Sequence, residues 1–180
     1  GDNKSVYKII GSGLIFHEIP FYRNSANIIK ETFTLLSLLK VYKKVKPNIV
    51  HHVTIKPIVY GGIVAKITSI PFVVSAISGL GFIFIEKSFT NYFKKKIIKN
   101  IYKFLFKKTN NKIIFQNPDE RDMLLSENIV NENNSYLIKG AGVDLGIFTP
   151  KQISLKVPVV VLAARMIWDK GVKEYVKAAT

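Results

Sequence analysis

A doubly wound α/β fold with a parallel sheet is predicted by three features of this sequence. Short apolar runs rich in β-branched residues alternate with stretches of helical length along the whole chain. Glycine and proline punctuate the alternation, at Gly11 and Gly13, at Pro47, at Pro71 and at Ser78–Gly81. Each run lies next to a stretch long enough to carry a crossover helix.

In order, Val6–Ile10 reads as the last turns of a helix closed by Gly11 and Gly13. Leu14–Ile19 reads as a strand and Phe21–Asn27 as a loop. Ile28–Lys46 reads as an amphipathic helix with Ile29, Phe33, Leu36, Leu39 and Tyr42 or Lys43 on its apolar side, stopped before Pro47. The strand Asn48–Val53 follows, then a helix from Pro57 to Thr68 in which Gly61 and Gly62 permit close approach to the sheet. The strand Phe72–Ile77, a long basic helix over Phe89–Lys108 and the strand Lys112–Gln116 come next. A helix over Pro118–Ser126 with Asn117 as N-cap, the strand Tyr136–Ile138 and a glycine loop at Gly140–Asp144 complete the first domain. The expected organisation is a domain over 1–150 and, after a polar connector at Pro150–Lys156, the first strand (Val157–Ala163) and helix (Val172–Ala179) of a second over 151–180.

The 180 residues are 48% hydrophobic, enough for one domain with an ordinary core. Cysteine is absent, which excludes disulfides and thiolate metal sites. The net charge of +15, from 27 Lys and Arg against 12 Asp and Glu, suits an anionic partner. Only Arg23, Arg121 and Arg165 are arginines, so a sequence-specific nucleic-acid reader, which relies on bidentate guanidinium contacts, is not expected. Ile67–Ile85 carries no charge, but Pro71 and Gly79–Gly81 break it into turn, strand and loop rather than a membrane span.

The segment Asn48–Gly62 places chemistry at a sheet edge. His51 and His52 point to opposite faces of their strand; His51 is expected in the core, and His52 and His17 are expected to line a cleft. Thr54 and Lys56 follow the strand end, where they gather with Gly79 and Gly81 of the next strand's loop; His52 and Lys56 are the catalytic candidates and His17, Thr54, Gly79 and Gly81 the cleft candidates. A tight turn accounts for Gly79 and Gly81 equally well. Arg165 and Lys170 flank a strand-to-helix loop and suit a diphosphate, with a solvated surface loop as the plain alternative. On the basic helix, Lys96, Lys99, Lys103 and Lys107 share one stripe and Phe93, Ile97, Ile101, Phe104 and Leu105 fall on the other side. Such a helix suits an anionic bilayer, and suits equally a helix packed on the sheet with a wet lysine face.

His51–Pro57 with Tyr60-Gly61-Gly62, Ser75–Phe82, Gly142-Val143-Asp144 with Phe148-Thr149-Pro150, and Ala164-Arg165-Met166 with Lys170-Gly171 occur here in one order. That order resembles the family 4 glycosyltransferases, and among them bacterial enzymes that extend undecaprenyl-diphosphate-linked sugars in O-antigen or capsule assembly. The resemblance implies a GT-B architecture of two Rossmann-like domains, the N-terminal one taking the acceptor. It implies retaining transfer of a hexose or N-acetylhexosamine from a UDP-sugar donor to an undecaprenyl-diphosphate-linked glycan, without metal or cofactor, at the inner face of the cell membrane. By position, Arg165 and Lys170 match the pair that grips the donor diphosphate, and Gly142 and Asp144 the loop before the interdomain hinge. Two departures stand out: Val53 occupies the place of a second family histidine, and no Glu-x7-Glu pair is present. The expectation is therefore a domain truncated at both ends and inactive alone. The rivals are a UDP-sugar 2-epimerase of similar fold and a non-enzymatic basic module that binds membrane or nucleic acid.

Overall fold

The computed structural model describes residues 3–22, 27–79, 89–107, 110–140, 142–150, 157, 159–166 and 168–178, which fall into two compact units, Gly1–Ala141 and Gly142–Thr180. The first unit holds α1 (Asn3–Gly11), α2 (Ile28–Val45), β1 (Ile49–Val53), α3 (Ile55–Ile67), β2 (Phe72–Ile77), α4 (Phe89–Phe106), β3 (Asn111–Phe115), α5 (Pro118–Ser126) and β4 (Ser135–Leu137). The four strands pair in parallel in the order β1-β2-β3-β4, an α/β Rossmann-like arrangement as the alternating pattern predicts.

The helix ends follow from local chemistry. The Asn27 side chain caps α2 by accepting from the Ile29 N–H at 3.0 Å, and Lys46, left-handed at φ 49°, closes it by donating its N–H to the Tyr42 carbonyl at 2.8 Å. Asn117 caps α5 through the Glu120 N–H at 2.8 Å, with Pro118 in the first turn where its missing donor costs nothing.

Register sorts the sheet residues into rows. Val50, Val73 and Asn111 form one row, and His52, Ser75, Ile113 and Ser135 the next; all are buried. Ile58 of α3, Tyr102, Leu105 and Phe106 of α4 and Leu124 of α5 join Ile77, Ile113 and Phe115 in the main core. Each such large side chain contributes about 1.5–3 kcal/mol by leaving water. The alternate positions Ile49, Val53 and Phe72 are exposed, so burial is heavier on one sheet face, although Ala76, in the row of Val53, is buried on the other.

Several expectations change here. The parity of β1 is reversed, with His52 buried and His51 exposed, because Val50 and His52 share the covered face. Leu14–Ile19 forms no strand but runs as irregular chain. On α2 the buried positions are Thr34 and Leu38, and Ile29, Phe33 and Leu36 lie exposed. Val157 and 159–163 form no strand; the second unit contains a 3-10 turn at Trp168–Lys170 and α6 (Val172–Ala178), and Gly142 and Asp144 belong to it. Gly81 and the connector 151–156 lie outside the described residues.

The glycine pair of α3 sets how closely that helix seats. A Cβ at Gly61 would lie 2.4 Å from His52 Nε2 on β1, and one at Gly62 would lie 2.9 Å from Leu105 Cδ1 on α4. Gly61→Ala should therefore destabilise by about 1–3 kcal/mol through overpacking, outweighing the roughly 1 kcal/mol of helix propensity that alanine brings. Urea unfolding should show this loss in the wild-type background and lose most of it in a His52→Ala background; an unchanged midpoint for Gly61→Ala would contradict the packing.

Candidate functional site

The sheet's C-terminal edge is where parallel strands deliver loops to a ligand. Val53 is paired with Ala76 and Ile77 with Phe115, so the turns after β1, β2 and β3 emerge side by side. Thr54 extends the β1–β2 ladder by donating its N–H to the Ala76 carbonyl at 3.1 Å, and its own carbonyl accepts from Ile58 at 3.1 Å to start α3. It does so at φ 72° and ψ 167°, a conformation that a β-branched residue rarely adopts and that costs on the order of 1–3 kcal/mol. Gly79, at φ 82°, turns the chain after β2 on the same edge, with nothing within 4 Å of where a side chain would stand. Thr54 and Gly79 thus follow the ends of the neighbouring strands β1 and β2. His17 is half-buried in the irregular chain before α2.

Lys56 lies in the first turn of α3. Its ammonium donates to Glu31 Oε1 at 2.7 Å and to the Tyr22 carbonyl at 2.6 Å, which ties β1's turn to α2 and to the chain ahead of it. Hydrogen bonds from Lys56 and then from Tyr60 hold the Glu31 carboxyl below its ordinary range. Burial, with Glu31 beside it, pushes the Tyr60 hydroxyl up to about 12. Glu31 was not singled out from the sequence, and Tyr60 entered only as part of the Tyr60-Gly61-Gly62 run, not as a site residue. The only local sign of Glu31 is its place as the acid in the first turn of a helix, and no spacing rule links it to a lysine 25 positions on.

His52 is 5% exposed. Its ring lies under Gly61, and Nε2 is 2.8 Å from the Tyr42 hydroxyl. Burial, with His51 next to it, lowers its pKa to about 4, so it stays neutral where an ordinary histidine would charge.

Lys96 and Lys103 of α4, and Lys107 just past its end, are exposed. Lys99 leaves the expected stripe, since its ammonium is ion-paired with Glu127 just past α5. Ile97 and Phe104, expected on the covered side, stand instead among the lysines at 57% and 62% exposure. The ammonium of Lys66, from α3, lies 4.5 Å from the centre of the Phe104 ring. Tyr102, Leu105 and Phe106 form the buried side of the helix.

In the second unit Arg165 and Lys170 are both exposed. Lys170 ends the turn that Gly171, at φ 70°, joins to α6. Tyr175 anchors α6 to the preceding chain by donating its hydroxyl to the Val160 carbonyl at 2.6 Å. Gly142 is left-handed at φ 64°, and Asp144 builds a turn by accepting from the Gly146 N–H at 2.8 Å through Oδ1. Among the described residues no group of three His, Asp or Glu is placed to hold a metal ion.

The histidine's burial has a measurable consequence. A folded-state pKa of about 4 against 6.5 when unfolded means that stability is fully present above pH 6.5 and falls as pH drops towards 4, by about 3 kcal/mol. The loss from Glu31, whose folded pKa is lowered from 4.5, begins as pH falls through that unfolded value, so it adds only at the acid end of this range. Denaturant unfolding from pH 7 to 4 should show the first slope in the wild type and a flattened one in His52→Asn; equal slopes would contradict the buried neutral ring.

Residues 2–117 match a family model described as "Glycosyl transferase 4-like". The chain is 28% identical over 184 residues to the N,N'-diacetylbacillosaminyl-diphospho-undecaprenol alpha-1,3-N-acetylgalactosaminyltransferase of Campylobacter jejuni, covering 95% of this chain and 48% of that protein. It is 30% identical over 135 residues to the UDP-Gal:alpha-D-GlcNAc-diphosphoundecaprenol alpha-1,3-galactosyltransferase of Escherichia coli, covering 73% of this chain and 33% of that protein. The chain therefore spans about half the length of the first relative and a third of the second. With the family model matching well over half of its residues, the chain belongs to the glycosyl transferase 4-like family.

Proposed function

We propose that the whole protein is a retaining glycosyltransferase that moves a hexose or N-acetylhexosamine from a UDP-sugar to an undecaprenyl-diphosphate-linked acceptor. The observation that carries this reading is the family match over the sheet-bearing unit, joined to two relatives whose names both specify a sugar on diphospho-undecaprenol. In this reading the first unit is the acceptor wall. The strained Thr54 turn and the left-handed Gly79 expose backbone at the sheet edge where an acceptor hydroxyl approaches. His52 and Lys56 support that wall from behind: the first is sealed between Tyr42 and Gly61, and the second is engaged with Glu31 and Tyr22.

Arg165 and Lys170 are the proposed grip on the donor diphosphate. Negative charge builds on the leaving phosphate as the glycosidic bond breaks, and two fixed cations stabilise it more in the transition state than in the ground state. Gly142 and Asp144 serve as the loop that leads from one domain to the next. The 180 residues alone are proposed to be inactive, because the relatives use about twice that length.

The membrane-facing surface is proposed to be α4, at the inner face of the cell membrane. Lys96, Lys103 and Lys107 supply charge for anionic lipid, and Ile97 and Phe104 supply apolar side chains for the headgroup boundary. No described helix is long and apolar enough to cross a bilayer.

Two measurements test these assignments. Arg165→Ala in the intact enzyme should cut turnover at least about tenfold, as loss of one transition-state cation does, and near-wild-type transfer would remove the residue from the site. Lys103→Glu with Phe104→Ser should release the protein from anionic liposomes in flotation, each lysine contributing about 1 kcal/mol; undiminished flotation would place the membrane contact elsewhere.

A further inference from the structure

We propose that Glu31 is a positioning residue of the acceptor wall, holding Lys56 and Tyr60 so that Pro20–Tyr22 stays strapped across the start of α3; this rests on the reading that the β1–α3 turn faces the acceptor. Each residue of the strap has its own tie. The Thr34 hydroxyl, fully buried, donates to the Pro20 carbonyl at 2.5 Å. The Phe21 ring lies 6.5 Å from that of Tyr60, inclined by 24°. The Tyr22 carbonyl accepts from Lys56 at 2.6 Å, and the ammonium of Lys30 lies 5.2 Å from the centre of its ring.

Two of these ties run through one carboxylate. Lys56 donates to Glu31 Oε1 at 2.7 Å, and the Tyr60 hydroxyl, one turn further along α3, is close enough to the same carboxylate to help hold its pKa down. A partly exposed ion pair contributes only about 0–1 kcal/mol to stability, so the main effect of this one is geometric. It fixes a flexible four-carbon side chain and an aromatic ring at once, on a helix whose first residue follows the strained Thr54. Without the carboxylate, the Lys56 ammonium and the Tyr60 hydroxyl lose the acceptor they share. The strap is then left hanging mainly on Thr34. Lys56 is the residue that couples α2, the strap and the β1 turn, and Glu31 is what keeps it in register.

The test uses the intact protein with two readouts, amide hydrogen exchange over Leu14–Tyr22 and steady-state kinetics on an undecaprenyl-diphosphate-linked N-acetylhexosamine in vesicles. Glu31→Gln should raise exchange in that segment at least about fivefold. It should also raise the acceptor KM about fivefold while kcat and the donor KM stay within about twofold. Glu31→Asp should recover part of both. Unchanged exchange in Glu31→Gln overturns the proposal whether or not the protein transfers sugar, and raised exchange with an unchanged acceptor KM overturns the link to the acceptor. Raised exchange in a protein whose wild type transfers nothing faults the glycosyltransferase reading and leaves the strap assignment standing.

Discussion

The close seating of α3 is the constraint on which the rest of the first unit depends. Gly61 and Gly62 remove two side chains at the points where the helix meets β1 and α4, and the space is filled by the His52 ring and Leu105. That approach fixes how soon the chain must turn after Val53, and the turn is made in a single residue, Thr54, at positive φ. It also delivers Lys56 and Tyr60 to α2, where Glu31 collects them. A helix held further from the sheet would need a longer turn and would lose this cross-link between elements far apart in sequence.

Much of the fold was legible because its signals are local. Asn117 as a cap, Pro47 as a stop, the β-branched runs and the glycine pair each act within a turn or two of their position. What failed was non-local. The order of β1's residues cannot say which sheet face the helices cover, so His51 and His52 exchanged places. Of the apolar stripe expected on α2, Tyr42 packs inward on His52 while Ile29, Phe33 and Leu36 lie exposed, and the buried Thr34 is held through a carbonyl 14 residues upstream. Lys99 belongs to the lysine stripe by helical angle alone, but Glu127, 28 residues away, takes it out. Leu14–Ile19 has the composition of a strand and no partner strand among the described residues.

The candidate site divides along the same line. Thr54 and Gly79 were legible because parallel strands of similar length end on one edge whatever their exact register. Glu31 and Tyr60 were not, because their role comes from a helix–helix contact. The site so described is a wall: strained backbone in front, with a neutral histidine and a paired lysine behind. Such an arrangement suits recognition by shape and backbone contact.

Transfer of labelled sugar from a panel of UDP-sugars to vesicle-borne undecaprenyl-diphosphate-linked sugar by the intact protein tests the central claim most directly. The account predicts a lipid product one sugar longer, with the donor's anomeric configuration kept. Release of free sugar, a 2-epimerised nucleotide sugar, or an inverted linkage in place of that product would contradict it.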